Sequence, residues 1–196
     1  MKADALQARP FKTVHAVRIV GGRWRRTVLP VADKPGLRPT PDRVRETLFN
    51  WLGQDLQGWR CIDAFAGTGA LGLEAASRGA AEVVLIEQDA ALAAALRATV
   101  QRLQATGVQV RQGDALAVLA ALPAQAHDLV FLDPPFDSEL FSRALRLAVD
   151  KVPVGGWVYL EAPQAWSDEA LADLGLQRYR YLKAGAVHAH LLQRAA

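Results

Sequence analysis

The stretch CIDAFAGTGALGLEAASRG, residues 61–79, places a glycine-rich turn between an apolar strand pattern and a helical pattern. Gly67, Gly69 and Gly72 satisfy the spacing G-x-G-x-x-G, and Glu87 follows twenty residues after Gly67 at the end of the next apolar run. Such glycines let the backbone approach a nucleotide, and the acidic residue bonds a ribose hydroxyl. We therefore expect an open α/β fold that binds a nucleotide-containing ligand. A glycine turn with a purely structural role is the alternative.

Strand and helix patterns alternate through the rest of the chain. Continuous apolar strands separated by helices are typical of a largely parallel sheet covered on both faces, so we expect an α/β fold with three α/β/α layers and a seven-stranded, mostly parallel sheet. Only KAGA, residues 183–186, separates the last two strands, which predicts an antiparallel last strand. The predicted strands are residues 60–65, 83–87, 108–112, 128–133, 154–161, 177–182 and 187–193, and the predicted helices are residues 70–78, 89–105, 115–121 and 138–150.

The N-terminal part has a different pattern. Residues 14–31 contain two β-prone runs around Gly21–Gly22, and glycine suits a tight hairpin turn, so we expect an N-terminal β-hairpin. Three prolines within residues 35–41 prevent a helix before the last of them. We expect a helix from that point, with Thr40 as its N-cap and Pro41 in its first turn.

Positive charge is concentrated at the same end. Residues 1–45 carry eleven Lys or Arg and three Asp, a net charge of +8, whereas the rest of the 196-residue chain carries −5. Clustered cations attract phosphates, so residues 1–40 are interpreted as a basic arm for a polyanion, attached to a domain of residues 41–196. A solvated tail is the alternative. No apolar run is long enough to span a bilayer, and an apolar signal core is missing, which predicts a cytoplasmic protein.

Acidic residues end the predicted strands. Asp63 precedes the glycine turn, where a carboxylate is unfavourable beside a pyrophosphate but favourable beside the ammonium group of S-adenosylmethionine, which has no phosphate. Asp114 ends the third strand, where it can accept from an adenine amine or cap the following helix. Ligands of open sheets bind beyond the carboxyl ends of the strands, so we expect these acids to converge and to favour a cationic cofactor. The four acids are Asp63, Glu87, Asp114 and Asp133.

The stretch LVFLDPPFD, residues 129–137, ends an apolar strand in a carboxylate and two prolines. It resembles the signature of amino-methyltransferases, Asn, Asp or Ser followed by two prolines and an aromatic residue. The Asp133 carboxylate and the Pro134 carbonyl can hold the two hydrogens of an exocyclic amine, because proline fixes the backbone that aims the carbonyl. Phe136 would stack on an extruded base. A turn that only stops the strand is the alternative.

Cys61 is the only cysteine of the chain. Methylation of a pyrimidine ring carbon requires a cysteine nucleophile, but Cys61 opens the first strand, at the end of the sheet opposite the acids. It is interpreted as a small core residue, which leaves chemistry on an exocyclic nitrogen. A single cysteine also excludes an internal disulfide and a cysteine-based metal cluster, and no metal site is expected.

Five stretches carry a closer resemblance: RIVGGRWRRTVL, LRPTPDRVRETLFNWL, DAFAGTGALGLEAASRGA, VVLIEQD and LVFLDPPF. In this order they resemble the RsmD family, bacterial methyltransferases that modify guanine N2 in 16S ribosomal RNA. The resemblance implies a Rossmann-like class I methyltransferase sandwich with S-adenosylmethionine as cofactor. It also implies 16S ribosomal RNA, or the assembling small ribosomal subunit, as the partner.

The resemblance implies a role for each motif. The glycine turn would hold the methionine part of the cofactor, and the residues after the second and third strands would hold its ribose and adenine. The implied cofactor-binding residues are Asp63, Phe65, Ala66, Gly67, Thr68, Gly69, Glu87, Gln88, Asp114, Ala115, Arg38 and Thr40. The implied catalytic residues, which would hold the guanine, are Asp133, Pro134, Pro135 and Phe136.

The basic arm is expected to clamp ribosomal RNA phosphates from a hairpin beside the active edge of the sheet. Trp24 can stack on an unpaired base or anchor the hairpin to the body. Arg43 can border the RNA entrance or form a helix-surface ion pair with Glu46. The candidate RNA-binding residues are Arg18, Arg23, Trp24, Arg25, Arg26 and Arg43.

Three other functions stay open on the residues alone. The Asp-Pro-Pro-Phe motif does not distinguish guanine N2 from adenine N6, so a nucleic-acid adenine-N6 methyltransferase is the nearest alternative. A nucleotide-dependent oxidoreductase would use the glycine turn but leaves the Asp-Pro-Pro-Phe motif without a purpose. A non-catalytic RNA-binding protein on the same fold is the third. The protein is expected to be a monomer.

Overall fold

The computed structural model describes residues 13–32, 40–135 and 138–196, so the predicted site residues Arg38 and Phe136 lie outside the described residues. The strands are β1 Thr13–Arg18, β2 Val28–Ala32, β3 Arg60–Asp63, β4 Glu82–Glu87, β5 Val108–Gln112, β6 Leu129–Leu132, β7 Trp157–Ala162, β8 Leu176–Ala184 and β9 Val187–Arg194. The helices are α1 Asp42–Trp51, α2 Ala70–Ser77, α3 Ala90–Arg102, α4 Ala115–Ala121, α5 Ser138–Lys151 and α6 Asp168–Ala172.

Seven strands form one sheet in the order β5-β4-β3-β6-β7-β9-β8. The pairs from β5 to β7 are parallel, whereas β9 pairs antiparallel with both β7 and β8. The mostly parallel sheet and the antiparallel last strand are therefore confirmed. In this order β3 and β6 are neighbours, so the glycine turn after β3 and the Asp-Pro-Pro motif after β6 leave the sheet side by side.

Alternate residues of the strands enter two different cores, as expected for a sheet covered on both faces. Cys61 and Phe131 pack with α1, α2 and α3 in the first core, and Cys61 has no exposed surface. Ile62 and Val130 pack with α4, α5 and α6 in the second core. Burial raises the pKa of the Cys61 thiol, which keeps it protonated, and its interpretation as a core residue is confirmed.

The helix α6 is absent from the sequence-based prediction. It begins after Ser167, whose Oγ accepts a hydrogen bond of 3.2 Å from the Ala170 N–H. Two acidic residues, Asp168 and Glu169, occupy its first turn. This is a regular N-terminal capping pattern, but a helix of five residues is too short to show a periodic apolar face.

The predicted hairpin is confirmed as a two-stranded antiparallel sheet of β1 and β2. The connection between the two strands comprises residues 19–27. It is longer than the tight turn expected at Gly21–Gly22. The connection is anchored to α2: the Arg23 N–H donates to the Ser77 carbonyl over 2.8 Å, and the Trp24 N–H donates to the Ser77 hydroxyl over 2.9 Å.

The position of this connection corrects a second expectation. The helix α2 starts at the carboxyl end of β3 and ends at Ser77, at the opposite edge of the sheet, where β3 and β4 begin. Eight helical residues span about 12 Å, so the connection lies roughly that far from the strand ends where the acids converge. For Arg23, Arg25 and Arg26 the expectation of a place beside the active edge is therefore wrong, because hydrogen bonds to Ser77 hold the connection at the far end of α2. Arg18 ends β1 instead, and its carbonyl accepts from Arg45 Nη2.

The start of α1 also differs from its prediction. The N-cap is Pro41 and not Thr40, and no side chain caps the helix. The Thr40 hydroxyl donates instead to Glu161 over 2.8 Å, and the residue is buried. The Thr40 hydroxyl therefore makes a tertiary hydrogen bond and does not cap the helix.

Two glycines of the G-x-G-x-x-G motif have identifiable structural reasons. Gly69 is left-handed, with φ of 79°, a conformation that other residues rarely adopt. A Cβ added to Gly72 would lie 2.3 Å from Leu85 Cδ2, so only glycine allows α2 to pack this closely on β4.

Across the described residues, every helix is too short or too polar to traverse a bilayer.

Candidate functional site

Asp63 is the last residue of β3 and is almost completely buried, with 1% of its surface exposed. Its Oδ2 accepts a hydrogen bond of 2.9 Å from the Gly72 N–H. Burial, together with the charges of Glu87 and Glu161, raises the pKa of Asp63 to about 7, although the N–H groups of Gly72 and Phe65 lower it. The carboxyl group thus lies where a cation would stabilise its charged form.

Glu87 ends β4 and fixes the glycine turn. Its Oε2 accepts from the Gly67 N–H over 2.9 Å, and its Oε1 accepts from the Asp89 N–H over 2.8 Å. Each carboxylate oxygen has a second lone pair, so these bonds leave Glu87 able to accept from ribose hydroxyls. The neighbouring Gln88 is exposed.

Asp114 lies two residues beyond β5 and caps α4. Its Oδ1 accepts from the Ala117 N–H over 2.8 Å, which confirms the capping role predicted for it. The Gly113 N–H donates to the Glu87 carbonyl over 3.0 Å, which keeps this turn beside the end of β4. Asp114 is exposed, so its second oxygen can accept from a ligand, while the predicted partner Ala115 is buried.

The Asp-Pro-Pro motif follows β6 directly. Asp133 is half-buried, Pro134 is buried and Pro135 is exposed. Leu132 pairs with Leu160 in the parallel strands β6 and β7, so the residues that follow them, Asp133 and Glu161, are also neighbours. The backbones of neighbouring strands are about 5 Å apart. Burial, and the charges of Glu161 and Asp63, raise the pKa of Asp133.

Glu161 is a site residue that the sequence analysis missed. It lies on β7 and is buried, and its Oε1 accepts from the Thr40 hydroxyl and from the Tyr159 hydroxyl, each over 2.8 Å. Burial raises its pKa, although these two hydrogen bonds and the Arg45 charge lower it. The signal was present, because Glu161 comes near the end of the apolar run WVYLEA as Asp133 comes at the end of LVFLD.

Arg45 is fully buried and binds several segments that are far apart in sequence. Its Nη1 contacts Glu74 Oε2 at 3.2 Å, and its Nη2 donates to the Arg18 carbonyl over 2.7 Å and also to Asp42. Its Nε donates to the Thr40 carbonyl over 3.3 Å. One guanidinium group thus connects the hairpin, α2 and Thr40, and the Thr40 hydroxyl donates in turn to Glu161.

Glu74 completes this connection from the side of α2. Its Oε2 accepts from the Val20 N–H and its Oε1 from the Gly21 N–H, both over 2.7 Å, and Arg78 Nε donates to Oε1 over 2.9 Å. Neither charged residue was predicted as part of this connection from the sequence. Arg45 lies on the amphipathic helix α1, whereas Glu74 is the one charged residue of the fully buried helix α2, and only the tertiary structure shows that the two face each other.

The predicted RNA-binding residues divide into two positions. Arg43 is exposed on the first turn of α1, and no ion pair joins it to Glu46 in the described structure; the ion pair of this turn is Asp42 with Arg45. Trp24 packs its half-buried ring against the first core, with the Arg23 Cζ 3.9 Å from the ring centroid. The tryptophan therefore serves at least as an anchor. The exposed arginines of the hairpin are Arg18, Arg23, Arg25 and Arg26.

The strand ends define the class of protein. The glycine turn follows β3, an acid follows or ends each of β3, β4, β5 and β6, and the antiparallel β9 lies between β7 and β8. This is the Rossmann-like sandwich of methyltransferases. Among the described residues, no group of three His, Cys, Asp or Glu has the arrangement of a metal site.

Comparison with known proteins identifies the family. The family described as Conserved hypothetical protein 95 matches residues 17–193, and the chain belongs to this family, the RsmD family of methyltransferases. The chain is 47% identical over 146 residues to Ribosomal RNA small subunit methyltransferase D of Escherichia coli strain K12, a match covering 74% of this chain and 71% of that protein.

Two further relatives agree with this assignment. The protein with the same name from Haemophilus influenzae is 38% identical over 177 residues, covering 84% of this chain and 92% of that protein. The solved structure of the Escherichia coli protein yhhF is 37% identical, covers 93% of this chain and 99% of that chain, and superposes with a TM-score of 0.78. The fold and the family therefore lead to the same class.

Proposed function

We propose that this protein is an S-adenosylmethionine-dependent methyltransferase that acts on the exocyclic N2 of a guanine in 16S ribosomal RNA. The names of the relatives specify ribosomal RNA of the small subunit as what they methylate, and we extend this substrate to the present chain. The observation that carries it is the row formed by Asp63, Asp133 and Glu161 at the carboxyl ends of three neighbouring strands, beside the glycine turn.

The residues of this row fit a cationic cofactor. Burial raises the pKa of Asp63 and of Asp133, and the charge of Glu161 adds to both shifts. A positive group bound beside them would offset this repulsion, whereas a pyrophosphate would add to it. Asp63 and the turn of residues 64–69 would hold the methionine end, Glu87 the ribose and Asp114 the adenine. When bound, S-adenosylmethionine supplies a methyl group on a positively charged sulfur.

Asp133 and Pro134 would hold the target amine. The Asp133 carboxylate and the Pro134 carbonyl are acceptors, and both hydrogens of an exocyclic amine need an acceptor when its lone pair is to leave conjugation with the base. The nitrogen loses one proton as it gains a methyl group. The raised pKa of Asp133 makes it a better proton acceptor than an ordinary aspartate. Phe136 would stack on the base.

Direct product analysis tests the proposal. The purified protein is incubated with labelled S-adenosylmethionine and with 16S ribosomal RNA, or partly assembled small subunits, from a strain that lacks the modification. Digestion to nucleosides should yield N2-methylguanosine. N6-methyladenosine as the sole product would reject guanine as the target, and the absence of any methylated nucleoside on both substrates would reject the proposed function.

A further inference from the structure

A second basic segment lies at the C-terminal end of the sheet. Residues 174–196 contain four Lys or Arg and no Asp or Glu, whereas residues 46–173 contain eight Lys or Arg and seventeen Asp or Glu. The basic segment forms β8 and β9, and β8 is an edge strand of the sheet. Positive charge is therefore concentrated at both ends of the sequence, around a strongly acidic middle.

Two of these four cations are already engaged within the protein. Arg178 pairs with Asp168, and Arg194 Nη1 donates to the carbonyls of Val149 and Val152 over 3.0 and 2.6 Å. Arg180 and Lys183 are exposed on β8. Within the described chain, Arg180 donates only to the carbonyl of its neighbour Tyr179, and no acid pairs with either cation. Their charge is available to a polyanion.

Exposed aromatic rings accompany these cations. Tyr179 is 43% exposed and Tyr181 is 38% exposed, and both belong to the few large hydrophobic side chains that the described part of the protein leaves at its surface. The Tyr179 ring lies 4.9 Å from the Trp157 ring, and Arg180 Cζ lies 4.3 Å from the Tyr179 ring centroid. The Tyr181 ring lies 5.2 Å from the His190 ring. The two rings lie on opposite faces of β8: Tyr179 packs on Trp157, on the side of the first core, and Tyr181 packs on His190, on the side of the second core. Each ring is also open to solvent.

We propose that the exposed edge strand β8 binds single-stranded RNA that flanks the target base, with Tyr179 and Arg180 contacting it on one face of the strand and Tyr181 and Lys183 on the other. This inference rests on the proposed function. The strand runs parallel to β7, because β9 is antiparallel to both. Lys183 therefore lies towards the edge of the sheet that carries Asp133, and RNA on β8 would lead to the candidate active site.

Single-stranded RNA is the partner that this combination fits. Cations bind its phosphates without regard to sequence, and unstacked bases stack on exposed aromatic rings, whereas the bases of a duplex are already stacked on each other. Protection of an edge strand against pairing is a simpler reason for charge on β8. Protection by charge, for which lysine is the usual residue, needs no exposed tyrosines, so it does not explain the aromatic rings.

The aromatic part is tested at Tyr179. The affinity for a protein-free 16S RNA fragment that contains the target base is measured for the wild type, Tyr179→Ala and Tyr179→Phe. Loss of one stacked base should weaken binding by about tenfold in Tyr179→Ala, whereas Tyr179→Phe keeps the ring and should bind within about twofold of the wild type. Equal affinity in all three proteins would overturn the inference.

The charged part is tested by a double reversal, Arg180→Glu with Lys183→Glu. The matched control is Arg60→Glu with Arg111→Glu, which changes net charge equally at exposed positions on other strands. Removal of two phosphate-binding cations should reduce the slope of log affinity against log salt concentration by about 1.4 in the first variant. The control should change the slope less, and both variants should keep wild-type affinity for S-adenosylmethionine. Equal slopes in the two double variants would contradict the proposal.

The outcomes separate this inference from the proposed function. If the wild type methylates neither protein-free 16S RNA nor partly assembled subunits, the proposed function fails and the inference fails with it. If the wild type methylates RNA while the β8 variants bind protein-free RNA normally, only the inference fails. Normal binding to protein-free RNA combined with loss of activity on assembled subunits would mean that β8 contacts a protein, which also overturns it.

Discussion

The Arg45 guanidinium and the Glu74 carboxylate form an ion pair of 3.2 Å, and neither side chain has any exposed surface. Burial of two charges is costly, and it is compensated here because the hydrogen bonds to both groups come from the backbone and from neighbouring side chains. The pair connects the hairpin, through Val20 and Gly21, to the segment that carries Thr40. The pair therefore joins the hairpin to the candidate active site, because the Thr40 hydroxyl donates to Glu161.

Arg45→Met should destabilise the protein by about 3 kcal/mol, because it removes the buried ion pair with Glu74, whose carboxylate then keeps only Arg78 as a cationic partner. The free energy of unfolding is measured by denaturant titration. Arg43→Met on the same helix is the matched control, and its exposed position predicts a change within about 0.5 kcal/mol. Similar losses in the two variants would show that the pair is not the cause.

Asp133→Ala should lower kcat by a factor on the order of 10² or more, because it removes one of the two acceptors for the target amine. Affinity for S-adenosylmethionine should fall far less than kcat, because Asp63 and not Asp133 would hold the methionine end, and stability should not fall, since the change relieves repulsion with Asp63 and Glu161. Asp173→Ala, an exposed acid on the surface, is the control. Full turnover in Asp133→Ala would place the chemistry elsewhere.

Cofactor affinity should rise with pH up to about 7, because Asp63 has a pKa of about 7 in the free protein and a bound ammonium group favours its charged form. Binding below that pH should release a proton, measured by calorimetry in buffers of different ionisation enthalpy. The dependence should flatten in Asp63→Asn. An unchanged pH profile in that variant would assign the titration to Asp133 or Glu161, whose pKa values are also raised.

The same shift predicts the sign of the pH dependence of folding. The pKa of Asp63 is raised in the folded state to about 7, so the folded protein binds this proton more tightly than the unfolded chain. The contribution of Asp63 to stability is therefore present at low pH, below its ordinary pKa, and is lost as the pH rises through about 7. Unfolding titrations of the wild type and Asp63→Asn across this range measure the difference.

Thr40→Val should cost about 1–3 kcal/mol of stability, because the buried Glu161 carboxylate loses a hydrogen-bond donor at nearly constant side-chain volume. Thr40→Ser keeps the hydroxyl and should recover most of the loss. Thr47→Val is the control, since the Thr47 hydroxyl donates only to the Arg43 carbonyl on the helix surface. Equal effects of the valine changes at positions 40 and 47 would contradict a specific role for the Glu161 hydrogen bond.

Replacement of Arg23, Arg25 and Arg26 by alanine should weaken RNA binding and flatten its salt dependence by about 0.7 for each phosphate that the variant no longer binds. The three residues lie at the far end of α2, so affinity for S-adenosylmethionine should not change. Filter binding at several salt concentrations measures the slope. A comparable fall in cofactor affinity would mean that the arginines act through the fold and not through RNA.

The sheet and half of the site were predictable because both depend on local patterns. Apolar runs alternating with helical segments determine a parallel sheet, and a parallel sheet places Asp63, Glu87, Asp114 and Asp133 at one edge. Glu161 follows the same rule and was missed only because its run was treated as an ordinary strand. The short link between β8 and β9 predicted that these two strands pair antiparallel. It did not predict that β9 also pairs with β7, because the length of a link does not specify the second neighbour of a strand.

The rest of the site depends on contacts between distant segments. Thr40 has the sequence of a helix cap, but its hydroxyl is bound by a residue 121 positions away. Glu74 is the one charged residue of the apolar helix α2, but the sequence does not show that its partner is Arg45 of α1. The position of the hairpin connection follows from hydrogen bonds to Ser77, which the composition of the arm cannot reveal. Each of these errors comes from a tertiary contact that replaced a local preference.

The place of β9 has a consequence for the order in which the chain can fold. This strand follows β8 in sequence but separates β8 from β7 in the sheet. During synthesis β8 emerges without a hydrogen-bonding neighbour and must wait for Val187–Arg194 before it can join. A chain that stops before residue 187 should therefore lose both β8 and β9 from the sheet. The strand β7, which carries Glu161, would then be an exposed edge strand.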